Sequence, residues 1–257
     1  MNTEPTPPQA VLELEEVRVV FSSGRGRSRR SVTAMDSVSF DIHAGETLGL
    51  VGESGSGKTT TGSIALGLRK PDSGAVRFLG GAFGSPRSRA GAIQAVLQNP
   101  HWSLNPRLTV GDSVAEPLTA TEGGRLRSHR AAALGILEQV GLGGGFADRL
   151  PHELSGGQRQ RVAIARSLIT RPRFIVFDEA VSALDVSVQA QILNLIHDLQ
   201  VEHGFGALFI SHDLAAVRYL AHRIAVMQHG RVVELADTER FYDTPQHPYS
   251  QQLLETL

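Results

Sequence analysis

Nine residues, Gly52-Glu53-Ser54-Gly55-Ser56-Gly57-Lys58-Thr59-Thr60, constrain this chain more than any other stretch. They fit the spacing G-x-x-x-x-G-K-[ST], a phosphate-binding loop that works only between a strand and a helix. The flanks meet that condition. Apolar Thr47-Leu48-Gly49-Leu50-Val51 reads as a strand, and Thr60 to Leu68 reads as a helix. Gly55 and Gly57 let the backbone curl, so that successive N–H groups converge on an anion. The helix start adds its unsatisfied N–H groups and the positive end of its dipole. Lys58 supplies a mobile point charge for β- and γ-phosphates, and the Thr59 hydroxyl is a hard oxygen ligand for Mg²⁺. Lys58 and Lys70 are the only lysines in a chain that otherwise uses arginine, so composition does not explain a lysine in this slot.

The 257 residues allow one large domain or two small ones, with ample core. A net charge of −1 gives no global basic field for nucleic acid. The absence of cysteine excludes disulfides, thiolate zinc sites and iron–sulfur clusters. No apolar run reaches the ~18 residues of a membrane span. Met1 to Ala10 is polar and proline-rich, without a signal-peptide core, and reads as a disordered tail (residues 1–10) ahead of one domain at 11–257. The expected location is the cytoplasm, with any membrane link made through a partner.

Along the chain, Val11 to Phe21 alternates as a strand, and Ser37 to Ile42 reads as a second. Ser22 to Ser31, with Arg25, Arg27, Arg29 and Arg30, reads as a solvated hairpin loop. Ala75 to Leu79 and Ala92 to Gln98 are further strands. From Asn99 the texture turns to loops and helices, and Ser128 is placed to cap a helix bearing Ala131, Leu134, Leu137 and Val140. Residues from about 99 to 160 therefore read as an inserted helical subdomain. Phe174-Ile175-Val176-Phe177 is a short continuous apolar run, the pattern of a strand buried on both faces, and it ends in Asp178-Glu179. Ala207 to Ile210 is another and ends in Ser211-His212-Asp213. Ile224 to Met227 and Val232 to Leu235 flank His229-Gly230 as a hairpin. Alternating strands and helices imply an α/β fold with a mainly parallel sheet.

Asp178 stands where a second Mg²⁺ anchor is expected after such a loop. Glu179 offers a carboxylate to orient or deprotonate water, and His212 ends another strand within reach of a γ-phosphate. Taken together, these features resemble the nucleotide-binding subunit of an ABC transporter, over nearly the whole chain after the tail. The matching motifs are the P-loop at 52–59, Gln98 as Q-loop, Leu154-Ser155-Gly156-Gly157-Gln158 as signature motif, Asp178-Glu179, Ser182-Ala183-Leu184-Asp185 as D-loop and His212 as switch histidine.

The resemblance implies a P-loop NTPase (RecA-like) core, an N-terminal antiparallel β-subdomain and the inserted helices. It implies ATP and Mg²⁺, with Thr59, Gln98 and Asp178 at the metal, Glu179 as base, and Gln98 and His212 as sensors. It also implies a second ATPase subunit, homologous or identical, whose ATP is met by Ser155 and Gly157, with Gly156 and Gln158 beside them. Asp185 is implied to cross the interface and Phe21 to stack on adenine. The implied partners are two membrane permeases and, indirectly, a substrate-binding protein, at the cytoplasmic face of a membrane and without nucleic acid.

The segment from Gln98 to Arg107, the run from Ser182 to Gln191 and His247-Pro248-Tyr249 look like the oligopeptide, dipeptide and nickel importer branch. Trp102, Leu104 and Leu108 are expected to line a groove for the permease. Many relatives have Pro-Thr where this chain has Ala180-Val181. The competing readings are a soluble ABC-type ATPase acting on nucleic acid or ribosomes, and an exporter ATPase. A long heptad array or second P-loop expected of the former is absent. The importer-like segments after Gln98 and at His247 speak against the latter.

Overall fold

The computed structural model describes residues 9–23, 30–98 and 104–255. Two sheets organise them. The first is antiparallel, in the order β2-β1-β4-β5, with β1 at Ala10–Ser23, β2 at Arg30–His43, β4 at Ser73–Phe78 and β5 at Gly81–Ala82. The second has six strands in the order β10-β9-β3-β8-β7-β6. Its β3 (Thr47–Val51), β6 (Ile93–Leu97), β7 (Phe174–Asp178), β8 (Gly206–Ile210) and β9 (Arg223–Gln228) run parallel, and β10 (Arg231–Asp237) closes one edge antiparallel.

The period-two pattern of β1 breaks once, between Leu14 and Val17. The chain absorbs the extra residue as a bulge in the register with β2, with Glu16 in the left-handed region at φ 46°. Leu12, Leu14, Val17 and Val19 therefore all reach the buried face. The β9–β10 turn has positive φ at both His229 and Gly230, the geometry of a tight hairpin that matches strand twist.

Helix α1 spans Lys58–Ala65, and α2 is a single turn at Pro86–Arg89. Between β6 and β7 lie α3 (Val110–Glu122), α4 (Arg130–Gln139) and α5 (Gly156–Leu168). Then come α6 (Val186–His203), α7 (Leu214–Leu220), α8 (Thr238–Asp243) and α9 (Pro248–Glu255).

The apolar run of β7 explains how the layers join. Phe174 and Val176 belong to a core shared with β1, β2 and α1, while Ile175 and Phe177 belong to a core shared with the helices from α3 to α7. Strand β7 thus packs on both faces, and truncating Phe177 to alanine would cost about 3–5 kcal/mol.

Several local expectations shift. The loop helix begins two residues earlier than Thr60 and stops at Ala65, where Gly67 at φ 67° turns the chain and leaves Leu68 exposed. The second strand starts at Arg30 rather than Ser37, because its pairing with β1 continues past the bulge. Ser128 does not cap α4: its hydroxyl donates to the Arg125 carbonyl within a 3-10 turn at Leu126–His129. Strand β1 already includes Ala10. Leu104 is buried in the core of the helical lobe, which removes it from any docking groove. Trp102, most of the arginine loop and residues 1–8 lie outside the described residues. Among the described residues, no helix is long and apolar enough to cross a membrane.

Candidate active site

Four neighbouring parallel strands end side by side, and each delivers one motif. In spatial order β3 leads into the P-loop, β8 into Ser211-His212, β7 into Asp178-Glu179 and β6 into Gln98. This is the carboxyl edge of the sheet, where open α/β folds bind ligands.

The loop owes its shape to glycine. Gly52, Gly55 and Gly57 have φ of 142°, 82° and 115°, which side-chain-bearing residues rarely adopt. A Cβ on Gly52 would lie 2.1 Å from the Met227 carbonyl oxygen, and one on Gly57 2.4 Å from that of Ala34. Gly52 and Gly57, the two glycines that the spacing fixes, are thus both closed to a side chain, whereas Gly55 has open space and only its positive φ to demand glycine. The loop wraps its own lysine. Lys58 is buried, and its Nζ donates to the carbonyls of Gly52 at 2.6 Å and Glu53 at 2.8 Å. Burial lowers the ammonium pKa, against the raising effect of Glu179, Asp178 and Glu53.

A cleft of about 450 Å³ opens over the loop, lined by Gly52, Glu53, Ser54, Gly55, Gly57, Lys58, Thr59 and Thr60 together with Ala34, Glu179, His212 and Leu253. Ser56 is turned inward and buried behind the loop, and the Gly230 N–H donates to its carbonyl at 2.9 Å.

Beside the loop the three other strand ends meet, with Glu179 and His212 in the cleft lining. The Gln98 amide donates to Glu179 Oε2 at 2.8 Å, and His212 Nδ1 lies 3.4 Å from Glu179 Oε1. Glu179 itself sits at φ 49° with its N–H bonded to the Ile210 carbonyl at 2.9 Å. A glutamate in the left-handed region is uncommon and is held there by its surroundings. Ser182 Oγ donates to the Glu179 carbonyl at 3.0 Å. Asp178 is half-buried, and its carboxyl is pushed up by burial and by the Glu179 charge, against the pull of Lys58. Ala180 and Val181 are buried beneath this pair and do not line the cleft.

The donor set suits Mg²⁺. This ion binds through one or two carboxylates with phosphate oxygens and water, rather than in an all-protein cage. Thr59 and Asp178 are hard oxygen donors of that kind, and Gln98 adds an amide oxygen. Among the described residues, no cluster of three His, Asp or Glu forms a protein-only metal site.

The remaining expected residues lie elsewhere. Ser155 caps α5: its Oγ accepts the Gln158 N–H at 3.3 Å, and the Gln158 side chain accepts the Ser155 N–H at 3.0 Å. This reciprocal capping box is legible in the spacing Ser-x-x-Gln. Gly157 packs on α6, where a Cβ would meet Val188 Cγ1 at 2.5 Å. Asp185 caps α6 through the Val188 N–H at 3.0 Å, and that bond, with the Ser187 hydroxyl, holds its carboxyl below the usual range. Ser155, Gly156, Gly157, Gln158 and Asp185 do not line the cleft of their own chain. Phe21 is 45 % exposed, also outside the cleft lining, with the Arg69 guanidinium 4.1 Å over its ring. Tyr249 was missed as a site residue: its hydroxyl accepts the Glu53 N–H at 2.8 Å.

Residues 35–182 match the family model described as ABC transporter. The chain is 45 % identical over 256 residues to the oligopeptide transport ATP-binding protein OppF of Bacillus subtilis, covering 97 % of this chain and 83 % of that one. It is 48 % identical over 237 residues to a putative peptide import ATP-binding protein of Brucella abortus, covering 89 % of this chain and 70 % of the relative. To the glutathione import ATP-binding protein GsiA of Escherichia coli it is 48 % identical over 238 residues, 90 % of this chain and 38 % of that protein. Among solved structures, the dimeric ATP-binding cassette MJ0796, in a post-hydrolysis state with ADP and Pi, superposes with a TM-score of 0.76 at 31 % identity, covering 88 % of this chain and 98 % of that one. CbiO1 of Clostridium perfringens, part of the transporter complex cbiONQ, gives 0.79 at 26 % identity, with 92 % of each chain covered.

Proposed function

The chain belongs to the ABC transporter family, and from that premise we propose that it is the MgATP-hydrolysing subunit of an importer of peptide-like cargo. One observation carries the chemistry: Gln98 and His212 each lie within hydrogen-bond or ion-pair reach of Glu179, which lines the same cleft as Lys58. In this reading the loop N–H groups and Lys58 hold the phosphates. Thr59, Asp178 and Gln98 hold Mg²⁺, which neutralises phosphate charge when bound. Glu179 takes the proton of the attacking water, and the Gln98 amide and His212 ring orient its two oxygens. The raised Asp178 carboxyl fits a group that awaits a cation.

The exposed starts of α5 and α6 serve a second subunit, homologous or identical. Ser155 and Gly157 present a helix N-terminus to the γ-phosphate held by that neighbour, with Asp185 beside them. Phe21 stacks on adenine with its free face. Two permeases hold the pair at the cytoplasmic side of a membrane, and a binding protein supplies cargo. The transport functions for which OppF, the Brucella protein and GsiA are named support peptide-like cargo and an importer, over a nucleic-acid ATPase or an exporter.

Phosphate release by the chain reconstituted with its permeases tests this. The expected result is MgATP turnover that rises when a peptide-loaded binding protein is added. Turnover that responds instead to nucleic acid or ribosomes, or none at all, overturns it.

A further inference from the structure

The Gly52–Glu53 peptide unit is gripped on both sides. Its carbonyl oxygen accepts from Lys58 Nζ at 2.6 Å, and its N–H donates to the Tyr249 hydroxyl at 2.8 Å. In a planar trans amide the N–H and C=O point in opposite directions. Lys58 and Tyr249 therefore hold one plane from opposite sides. Such a grip matters here, because Gly52 sits at φ 142° against the Met227 carbonyl, a conformation open to glycine and so not fixed by a side chain of its own.

Tyr249 is itself firmly placed. It is 4 % exposed on the first turn of α9, and its N–H donates to His247 Nδ1 at 3.2 Å. The Glu234 carboxylate on β10 accepts the N–H groups of Gln246 and His247, both at 2.9 Å. One turn further along α9, Leu253 lines the phosphate cleft. Burial raises the Tyr249 pKa, so the hydroxyl stays neutral at working pH. The C-terminal segment is thus anchored on β10 and reaches the loop.

We propose that Tyr249 is a positioning residue of the nucleotide site: by accepting the Glu53 N–H, its hydroxyl fixes the Gly52–Glu53 plane and, through that plane's carbonyl, the place of Lys58 Nζ. The C-terminal helix in this way sets the affinity for the nucleotide's phosphates. This rests on the ATPase reading above. The bond exists before nucleotide arrives and serves substrate and transition state alike, so its loss shows in binding more than in the chemical step.

Tyr249→Phe keeps the packed ring and removes only the acceptor. Four readouts on the full chain test it: equilibrium binding of MgATP, KM against kcat for phosphate release, the melting temperature without nucleotide, and hydrogen exchange at the Glu53 amide. The expected result is a Kd and KM about three- to tenfold higher, a kcat within about twofold, and faster exchange at Glu53, with little change in melting temperature. A Kd equal to that of the wild type overturns the proposal. So does a lowered kcat at unchanged KM with a lowered melting temperature, the signature of a merely structural role. Wild-type chain that binds no MgATP overturns the ATPase reading as well. Wild-type binding that Tyr249→Phe leaves unaltered overturns this inference alone.

Discussion

The strand-end row and the helix starts use the same kinds of residue to opposite ends. At the row, Gln98 and His212 both spend their side chains on Glu179, beside a cleft lined by Lys58, and burial and the Glu179 charge raise the Asp178 carboxyl. At the helix starts, Ser155 and Asp185 are satisfied by their own backbone, and the Asp185 carboxyl is held low. The first region is strained and charged, and parallel neighbours β3, β8, β7 and β6 assemble it within a single chain. The second is capped, exposed and outside the lining of its own cleft. A stable cap needs no partner to fold, but it points unsatisfied N–H groups outward, which is what an anion on another molecule would meet. In the proposed reading, the contrast separates chemistry, built in the row, from closure, left to the helix starts.

The largest expected effect lies at the row. Lys58→Ala removes the cation proposed to hold the β- and γ-phosphates, and MgATP affinity should fall by about 10²–10³-fold, taking turnover with it. Titration with a fluorescent nucleotide reads this directly, and near-normal affinity would break the assignment of the loop.

Ser155→Asp sharpens the other side. Aspartate caps a helix as well as serine does, so the melting temperature should hold. A carboxylate set against a neighbour's γ-phosphate should still lower turnover by about tenfold or more in the assembled pair. Unchanged turnover would reduce Ser155 to a cap. A milder loss belongs to Gln98→Ala, which frees the Glu179 carboxylate and removes one of the three oxygens proposed for the metal: kcat should drop by about tenfold, with a smaller rise in KM for MgATP.

The smallest effects have opposite signs in the two regions. Asp178 has a raised folded pKa, so its ionised form opposes folding, and nucleotide-free stability should rise as pH falls toward that pKa. Asp178→Asn mimics the protonated form and should raise the melting temperature by about 2 °C or more while impairing metal-dependent binding. Asp185 has a lowered pKa, so its contribution is complete above about pH 4 and is lost as pH falls through the folded value. Asp185→Ala should lower the melting temperature by about 2–4 °C. Thermal melts of the two variants over pH 3–8 compare them, and shifts of the same sign would remove the distinction.

The row was legible because its chemistry is local. The P-loop has a fixed spacing, and each partner follows a short apolar strand such as Phe174–Phe177. The parallel sheet then supplies adjacency that no spacing encodes: Gln98 and Glu179 meet because β6 and β7 are neighbours. The caps at Ser155 and Asp185 were equally local, yet their motifs drew attention to a partner rather than to the backbone they satisfy. What escaped is non-local or competitive. Tyr249 reaches Glu53 from the far end of the chain through the packing of α9, and His247-Pro248-Tyr249 marked only the branch. Ser128 is no cap because it lies inside the 3-10 turn at Leu126–His129, which leaves His129 at the start of α4, and the bulge at Glu16 depends on pairing with β2.

Glu179→Gln divides the two regions most directly. The substitution keeps size and the capacity to accept from Gln98, but it cannot take a proton from water. Phosphate release, where general-base catalysis contributes ~10²–10⁴-fold, should nearly cease. MgATP should still bind through the intact loop, and the helix starts should then hold an ATP-loaded pair, seen as a doubled mass in size-exclusion chromatography with the chain's ATPase partner present. Phosphate release at the wild-type rate from Glu179→Gln would contradict the account.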